Sequence, residues 1–484
     1  MTPVATGGPT ASSRDGTALS SSGAIDPKSV IPTVRTPAVS RPRGRRRHPA
    51  QLVIAGFAAV LALGTFLLSL PAAAVDAEGT SVVDALFTAT SALCLTGLVV
   101  VDTATNWSGF GHGVILVLIQ LGGIGILTFA TLLVMMVSHR IGLRTRLTTA
   151  AETKTLGLGD VRGVVRGVVL LSLSIEALTA AVLVPRLAVA YDTEWSRALW
   201  LGIFHSVSAF NNAGFALWSD SLTQFVGDPW ICLPIAVASI LGGLGFPVLF
   251  EIGRRYTKPG GWTMHTKIVL WASGGFLLGG AVFVTALEWG NAATLGPLPV
   301  QEKVLAGFFQ GTMPRSAGFN SIDISAMNSA TWLGMDVLMF IGGASAGTAG
   351  GIKITTFAVL LFVIYAEVRG ESSVNIFGRR LHGDVQRQAL TVVLLSVAGV
   401  VGSTVVFMVS TTFTLDQALF EVISAFCTVG LSTGITAELS DPHKVLLSLL
   451  MFVGRLGPVT IASALALRRR VRLYELPEER PLIG

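Results

Sequence analysis

Four times along the chain, an amphipathic segment ends in a short turn rich in Ser, Thr, Asn and Gly before a long apolar run begins. The turns read Ser91-Ala92-Leu93-Cys94-Leu95-Thr96-Gly97-Leu98, Ser208-Ala209-Phe210-Asn211-Asn212-Ala213-Gly214-Phe215, Thr312-Met313-Pro314-Arg315-Ser316-Ala317-Gly318-Phe319 and Ser424-Ala425-Phe426-Cys427-Thr428-Val429-Gly430-Leu431. Subtracting the glycine numbers gives separations of 117, 104 and 112 residues, a repeat far longer than the roughly 20 to 50 of solenoids. A second column, Gly122-Gly123-Ile124-Gly125, Gly242-Gly243-Leu244-Gly245, Gly342-Gly343-Ala344-Ser345 and Gly454-Arg455-Leu456-Gly457, keeps the same phase. The chain therefore reads as four fused copies of one unit, helix, half-helix, loop, helix. Four such units imply packing about a pseudo-fourfold axis.

The intervening sequence is apolar enough to name the solvent. Only 13% of the 484 residues are charged against 51% hydrophobic, where a soluble chain carries about 25% charged, and the mean hydropathy is +0.68. This is an all-α polytopic membrane protein, which excludes disordered, collagenous and disulfide-scaffold classes. At about 20 apolar residues per crossing, eight spans are expected near 51–71, 111–138, 165–190, 229–250, 266–288, 332–365, 387–410 and 443–466. Basic residues follow the even-numbered spans: Arg140, Arg144, Arg146 and Lys154; Arg254, Arg255 and Lys258; Arg369, Arg379 and Arg380; Arg468, Arg469, Arg470 and Arg472. They place both termini in the cytosol of a multi-pass protein of the cell membrane. Their scatter between apolar runs speaks against nucleic acid as a partner, despite a net charge of +6.

The expected organisation is a disordered basic cytosolic tail (1–48), pore repeats at 49–140, 141–255, 256–368 and 369–470, and a C-terminal cytosolic tail (471–484). The cluster Arg41, Arg43, Arg45, Arg46 and Arg47 before Leu52 to Leu70 also matches a signal peptide, but that run exceeds the usual 7 to 15 residues and the repeat needs it as a helix. Cys94, Cys232 and Cys427 suggest neither a disulfide framework nor a zinc site.

Non-helical backbone at membrane depth survives only where protein buries it or where it lines a watery cavity. Four loops converging on one axis make such a cavity. A glycine lets the backbone turn carbonyls inward, and rings of inward carbonyls replace the hydration shell of a cation. Each half-helix aims its C-terminal end, about half a negative charge, at the same place. Asp102, Asp220 and Asp323 follow three of the glycines; they read either as an acidic outer mouth or as helix caps and solvated charges.

These residues resemble the Trk/Ktr/HKT superfamily of potassium transporters, nearest to the membrane subunit of Ktr systems. The resemblance covers about 50–470 and rests on the four loops, on Ser345-Ala346-Gly347-Thr348-Ala349-Gly350-Gly351-Ile352-Lys353 and on Arg455. Trk-type members usually carry two further N-terminal helices; a polar tail here favours the Ktr type. Cys427, where the family often has Gly, and Cys94 in the first loop depart from the pattern. The resemblance implies a potassium filter of Leu95, Thr96 and Gly97; Asn212, Ala213 and Gly214; Ser316, Ala317 and Gly318; and Thr428, Val429 and Gly430. Glycine at all four filter positions implies potassium rather than sodium, with a sodium or non-selective monovalent cation transporter as the alternative. It further implies a homodimer and a cytosolic nucleotide-binding regulatory subunit of KtrA/TrkA type. No GxGxxG leads into a soluble α/β domain, so nucleotide control is expected from a separate chain and no organic cofactor from this one.

By the same resemblance, Gly342, Gly343, Ser345, Gly347, Thr348, Gly350 and Gly351 break the sixth span into an intramembrane gate, and Arg455 faces the pore below the filter. An intramembrane charge is a functional hypothesis by default. Arg315 is expected to brace its loop against an acid such as Glu421, and Lys353 to pair with a carboxylate or reach the cytosolic interface. Gly343-Ala344-Ser345-Ala346-Gly347 also fits GxSxG. The rival it raises, an intramembrane serine hydrolase using His205 or His112, lacks the strand-to-helix elbow. A secondary transporter for an organic or anionic solute would favour inverted repeats and half-helix N-termini, whereas these units run parallel.

Overall fold

A computed structural model describes residues 49–76, 79–138, 161–371 and 373–457; the expected tails and the basic residues at 140–154 and 468–472 lie outside these. The first unit comprises α1 (Pro49–Leu68), the half-helix α2 (Val82–Leu93) and α3 (Gly109–Ser138). The second comprises α4 (Val161–Ala190), α5 (Trp195–Phe210), α6 (Pro229–Leu244) and α7 (Phe246–Arg255). The third has α8 (Met264–Glu288), α9 (Val300–Thr312), α10 (Ser329–Phe340) and α11 (Ile354–Val368). A two-residue hairpin, β1 (Asn375–Ile376) with β2 (Arg379–Arg380), leads to α12 (Gly383–Ser410), α13 (Leu415–Phe426) and α14 (Asp441–Leu456). The order long helix, half-helix, loop, helix thus recurs four times.

Local sequence explains the half-helix starts. The Ser81 hydroxyl accepts from the Asp84 amide at 3.1 Å, capping α2. In α13, Thr414 and Gln417 form a capping box, the Gln417 side chain accepting from the Thr414 amide at 3.1 Å. Each first helix after the first unit is a long apolar rod. Residues 163–190, 264–288 and 383–410 are the three described helices individually long and apolar enough to cross a membrane.

The second helix of unit one runs unbroken, that of unit two departs from the expectation of an unbroken span, and that of unit three carries the interruption expected from its glycines. The span expected at 229–250 bends by 97° between α6 and α7. Gly245 at the break has φ +82°, and Pro247 in the next turn has no amide hydrogen to donate, so the helix cannot run through. The span expected at 332–365 is open from 341 to 353 between α10 and α11. At α14 the helix ends at Gly457, φ +83°, the column position equivalent to Gly245.

The apolar core crosses unit boundaries. Phe87, Cys94, Leu98 and Val100 of the first unit pack with Phe420, Val429, Leu447 and Met451 of the fourth, whereas Phe309, Met313 and Phe319 of the third join the core of the first two. Lys444 of α14 pairs with Asp84 of α2 at 2.6 Å, both largely buried, fastening the last unit to the first. Lys444→Met leaves Asp84 uncompensated and should cost on the order of 2 to 4 kcal/mol. Thermal unfolding in detergent checks this; the double variant Lys444→Met, Asp84→Asn should recover most of the loss.

Candidate functional site

The four loops share a backbone pattern that no single sequence position announces. Two residues before each glycine the chain enters the left-handed region, at Leu95 (φ 58°), Asn212 (56°), Ser316 (88°) and Thr428 (50°). Gly97 (92°), Gly214 (72°), Gly318 (71°) and Gly430 (95°) also have positive φ. A non-glycine residue in this region costs about 1 to 2 kcal/mol. Its occurrence at the same place in four loops marks a conformation held by its surroundings, as strained functional backbone is.

The glycines meet one another. A β-carbon on Gly97 would lie 2.6 Å from the Ala213 carbonyl oxygen and 3.0 Å from the Gly214 Cα; one on Gly214 would lie 2.9 Å from the Gly318 Cα and 3.0 Å from the Ala317 oxygen. On Gly318 it would meet the Val429 oxygen at 2.5 Å, and on Gly430 it would collide with the Thr96 oxygen. Each loop therefore touches the next, and the fourth touches the first. The carbonyls of Thr96, Ala213, Ala317 and Val429 are gathered into one ring, with the Thr96 oxygen also 3.3 Å from the position a β-carbon would take on Gly318.

Buried serines hold the loops open-backed. The Ser91 hydroxyl accepts from the Gly97 amide (3.0 Å) and donates to the Leu98 carbonyl (2.7 Å); Ser424 accepts from the Gly430 amide (3.1 Å) and Ser208 donates to the Phe215 carbonyl (2.8 Å). The amides of Thr96, Ala213 and Val429 return to the carbonyls of the same three serines at 2.8 to 2.9 Å. Sequence reasoning passed over these residues, yet a serine six positions before the glycine in three of four loops was the available signal. In loop three Thr312 bonds instead to its own helix, and Ser316 takes a bridging part, donating to the Thr428 carbonyl at 2.9 Å.

Residues 341–353 form an inner loop beneath this ring, closed at its neck by the Gly342 amide to the Ile352 carbonyl (3.0 Å) and the Ile352 amide to the Phe340 carbonyl (3.1 Å). Ending α6 at Leu244 orphans its last carbonyls. The inner loop supplies their donors: Thr348 amide to Gly242 carbonyl at 3.1 Å and Ala344 amide to Gly243 carbonyl at 2.9 Å. Asn212 of loop two donates to the Thr348 hydroxyl (2.7 Å), and the Gly350 amide donates to the Ser316 hydroxyl of loop three (2.8 Å). Buried Arg455 donates to the Thr348 carbonyl, and its remaining nitrogens Nε and Nη2 have no partner among the described residues. Gly342, Gly343, Ser345, Gly347, Thr348, Gly350, Gly351 and Arg455 are therefore brought together.

Several expectations are corrected. Arg315 does not reach Glu421; its guanidinium donates to the Ser273 carbonyl (3.2 Å) and hydroxyl (3.4 Å) and the Gly342 carbonyl (3.5 Å), while Glu421 accepts from Ser432 (3.0 Å) and Thr436. Hydroxyls of the segment that follows Gly430 satisfy that acid, so it needs no cation. Lys353 pairs with no carboxylate among the described residues: its Nζ donates to the Ala349 carbonyl at 2.6 Å, folded back onto the inner loop. Asp102, Asp220 and Asp323, for which caps were one of the two expected readings, do hold their own turns, Asp102 capping a one-turn helix through the Ala104 amide (2.8 Å), Asp220 accepting from Thr223 and Asp323 from Ser325, and Asp102 in addition accepts from the Ser219 hydroxyl of the second unit. Ser345 pairs with the Thr355 hydroxyl at 3.1 Å, while His205 is engaged by Leu201 and Leu217 and His112 by Thr103. Ser345 thus has no base, and the hydrolase reading falls. Cys94 and Cys427 are the C-caps of α2 and α13.

The chain matches the family model TrkH, described as "Cation transport protein", over residues 42–470. It is 41% identical to Ktr system potassium uptake protein B of Bacillus subtilis, covering 87% of this chain and 94% of that one, and 38% identical to the protein of the same name from Vibrio alginolyticus, covering 90% and 94%. Potassium/sodium uptake protein NtpJ of Enterococcus hirae is 34% identical, covering 91% and 98%. Among solved structures, the potassium transporter TrkH of Vibrio parahaemolyticus superposes with a TM-score of 0.69 at 18% identity, covering 88% of this chain and 86% of that one, a likeness of fold.

The ring makes a stability prediction independent of transport. Gly430→Ala forces a β-carbon into the Thr96 carbonyl at a positive φ, whereas Gly402→Ala in α12 meets nothing within 4 Å. The first should destabilise by at least about 2 kcal/mol; the second should be neutral or stabilise by up to about 1 kcal/mol. Comparable unfolding temperatures for the two variants would contradict the ring.

Proposed function

The chain belongs to the TrkH family of cation transport proteins, and on that premise we propose that it is the membrane subunit of a potassium uptake system, with four helix, pore-loop, helix units surrounding one ion path through the cell membrane. The observation that carries this reading is the ring of carbonyls from Thr96, Ala213, Ala317 and Val429 against the glycines of neighbouring loops. Oxygens so fixed replace the water of a dehydrated cation. The C-terminal ends of the four half-helices add partial negative charge at the same point and disfavour anions. Leu95, Asn212, Ser316 and Thr428 contribute the adjoining backbone of the filter. Asp102, Asp220 and Asp323 raise the cation concentration at the outer mouth while capping their own turns.

Inward movement of potassium is driven by the membrane potential, about 2.3 kcal/mol per charge at 100 mV. The inner loop is the gate. It lies tied to loop two through Asn212, to loop three through Ser316 and to α14 through Arg455, so opening requires these bonds to break together. Arg455 adds a fixed positive charge that opposes a cation below the filter. Control comes from a cytosolic nucleotide-binding regulatory subunit, suggested by the Ktr system names of the relatives, and the chain works as a homodimer with both termini cytosolic. Sodium carriage is the second reading, favoured by the potassium/sodium uptake protein among the relatives.

Rescue of a potassium-uptake-deficient bacterium at graded external potassium tests the activity, and competing sodium in the same assay separates the two readings. Gly97→Ser should lower the potassium-to-sodium uptake ratio at least about tenfold, equivalent to 1.4 kcal/mol of discrimination; an unchanged ratio removes loop one from the filter. Arg455→Ala, or removal of 344–349, should raise maximal flux in vesicles and weaken its dependence on the regulatory subunit, with little change in half-saturating potassium. Unchanged or lower flux from folded variants, still regulated, would make the inner loop structural.

A further inference from the structure

Behind loop two lies a carboxylate that the ion path as described does not use. Glu176 sits in the middle of α4, one of the three long apolar helices, and is 5% exposed. Gln120 of α3, in the first unit, donates its amide nitrogen to both carboxylate oxygens at 3.1 and 3.2 Å. Asn211, the C-cap of the half-helix α5, donates to the same carboxylate at 3.2 Å, to the Gln120 side-chain oxygen at 2.9 Å and to the Val207 carbonyl at 2.9 Å. Because the Gln120 oxygen is itself an acceptor from Asn211, both amides turn their nitrogens toward Glu176. The acid therefore receives amide donors and has no acceptor turned toward it, hydrogen bonding that favours the charged carboxylate against the cost of its burial. No Lys or Arg lies within 4.0 Å of it among the described residues.

Its surroundings are specific to one side of the ring. Of the other first helices, α1 carries no acid, and α8 and α12 carry one only at an end, Glu288 at the close of α8 and Asp384 at the start of α12. Asn211 is bonded to Glu176 and is followed directly by Asn212, the left-handed residue of loop two, whose own side chain holds Thr348 of the inner loop. Thus one side chain separates the carboxylate from the filter backbone. A charge buried in apolar helix acts over a longer range than one in water, since the local dielectric is lower.

We propose that Glu176 is a specificity-determining and positioning residue, a buried negative charge that raises the filter's affinity for the dehydrated cation and, through Asn211, fixes the backbone of loop two. This rests on the potassium-uptake reading above. The oxygen ring alone is neutral, and the half-helix ends supply only partial charges. A full negative charge behind one loop offsets the positive Arg455 below it, so that the site holds a cation in spite of that arginine.

The test separates charge from shape. Glu176→Gln keeps size and one acceptor oxygen but removes the charge; Glu176→Asp keeps the charge with a shorter reach. With the full-length protein in vesicles, Glu176→Gln should raise half-saturating potassium roughly three- to tenfold, with maximal rate within about twofold of the parent and Glu176→Asp closer to the parent. Potassium-dependent thermal stabilisation of the purified protein, which needs no transport, should shift by the same factor. A Gln variant with parental half-saturation and stabilisation overturns the charge, and Gln and Asp variants equally impaired reduce Glu176 to a structural strut. A parent protein that neither transports potassium nor is stabilised by it removes the reading on which the inference rests.

Discussion

A peptide group left without a hydrogen-bond partner inside an apolar slab costs several kcal/mol, and the centre of this molecule is arranged around that penalty. Four stretches of backbone leave helical geometry at Leu95, Asn212, Ser316 and Thr428. Their amides turn back to the ends of the half-helices and, in two loops, to a buried serine hydroxyl. The carbonyls of Thr96, Ala213, Ala317 and Val429 lie against the glycines of neighbouring loops. A cation without its water is the chemical complement of such a group. In the proposed function, the backbone accounting that shapes the fold also selects the ligand.

The same logic ties the inner loop to the bent second helix of unit two. Breaking α6 at Gly245 frees the Gly242 and Gly243 carbonyls, and breaking the third unit between Phe340 and Ile354 frees the Ala344 and Thr348 amides that meet them. Each interruption satisfies the other. Gly245 also allows the close approach, since a β-carbon there would lie 2.8 Å from the Ser345 carbonyl. Arg455 closes the arrangement from the fourth unit through the Thr348 carbonyl. The units thus contribute unequally: the third brings the loop and holds it by its own Ser316, the second receives it, and the fourth holds it by Arg455.

Much of this was legible in the chain because a repeat exposes its own alignment. The phase of Gly97, Gly214, Gly318 and Gly430, and the second glycine column, point to four equivalent loops and to Arg455 and the 342–351 break as exceptions. What sequence concealed were interactions with no repeat and no local signature. The 97° bend at Gly245 reads as one more packing glycine until the inner loop that fills it is seen. Arg315 suggests a carboxylate partner by charge, yet carbonyls and a hydroxyl meet it; Lys353 likewise turns to a carbonyl of the inner loop, that of Ala349. Glu176 drew no notice because its partners Gln120 and Asn211 lie 56 and 35 positions away and are neutral.

The central claim is that a cation sits on the axis among these carbonyls. Diffraction from the full-length protein crystallised with thallium, a heavy substitute for potassium, tests it most directly. The account predicts anomalous density inside the ring, at about 3 Å from the oxygens of Thr96, Ala213, Ala317 and Val429, weakened by excess potassium and absent in Gly97→Ser crystals. Density confined to the outer acidic residues, or none on the axis in well-ordered crystals, would contradict it.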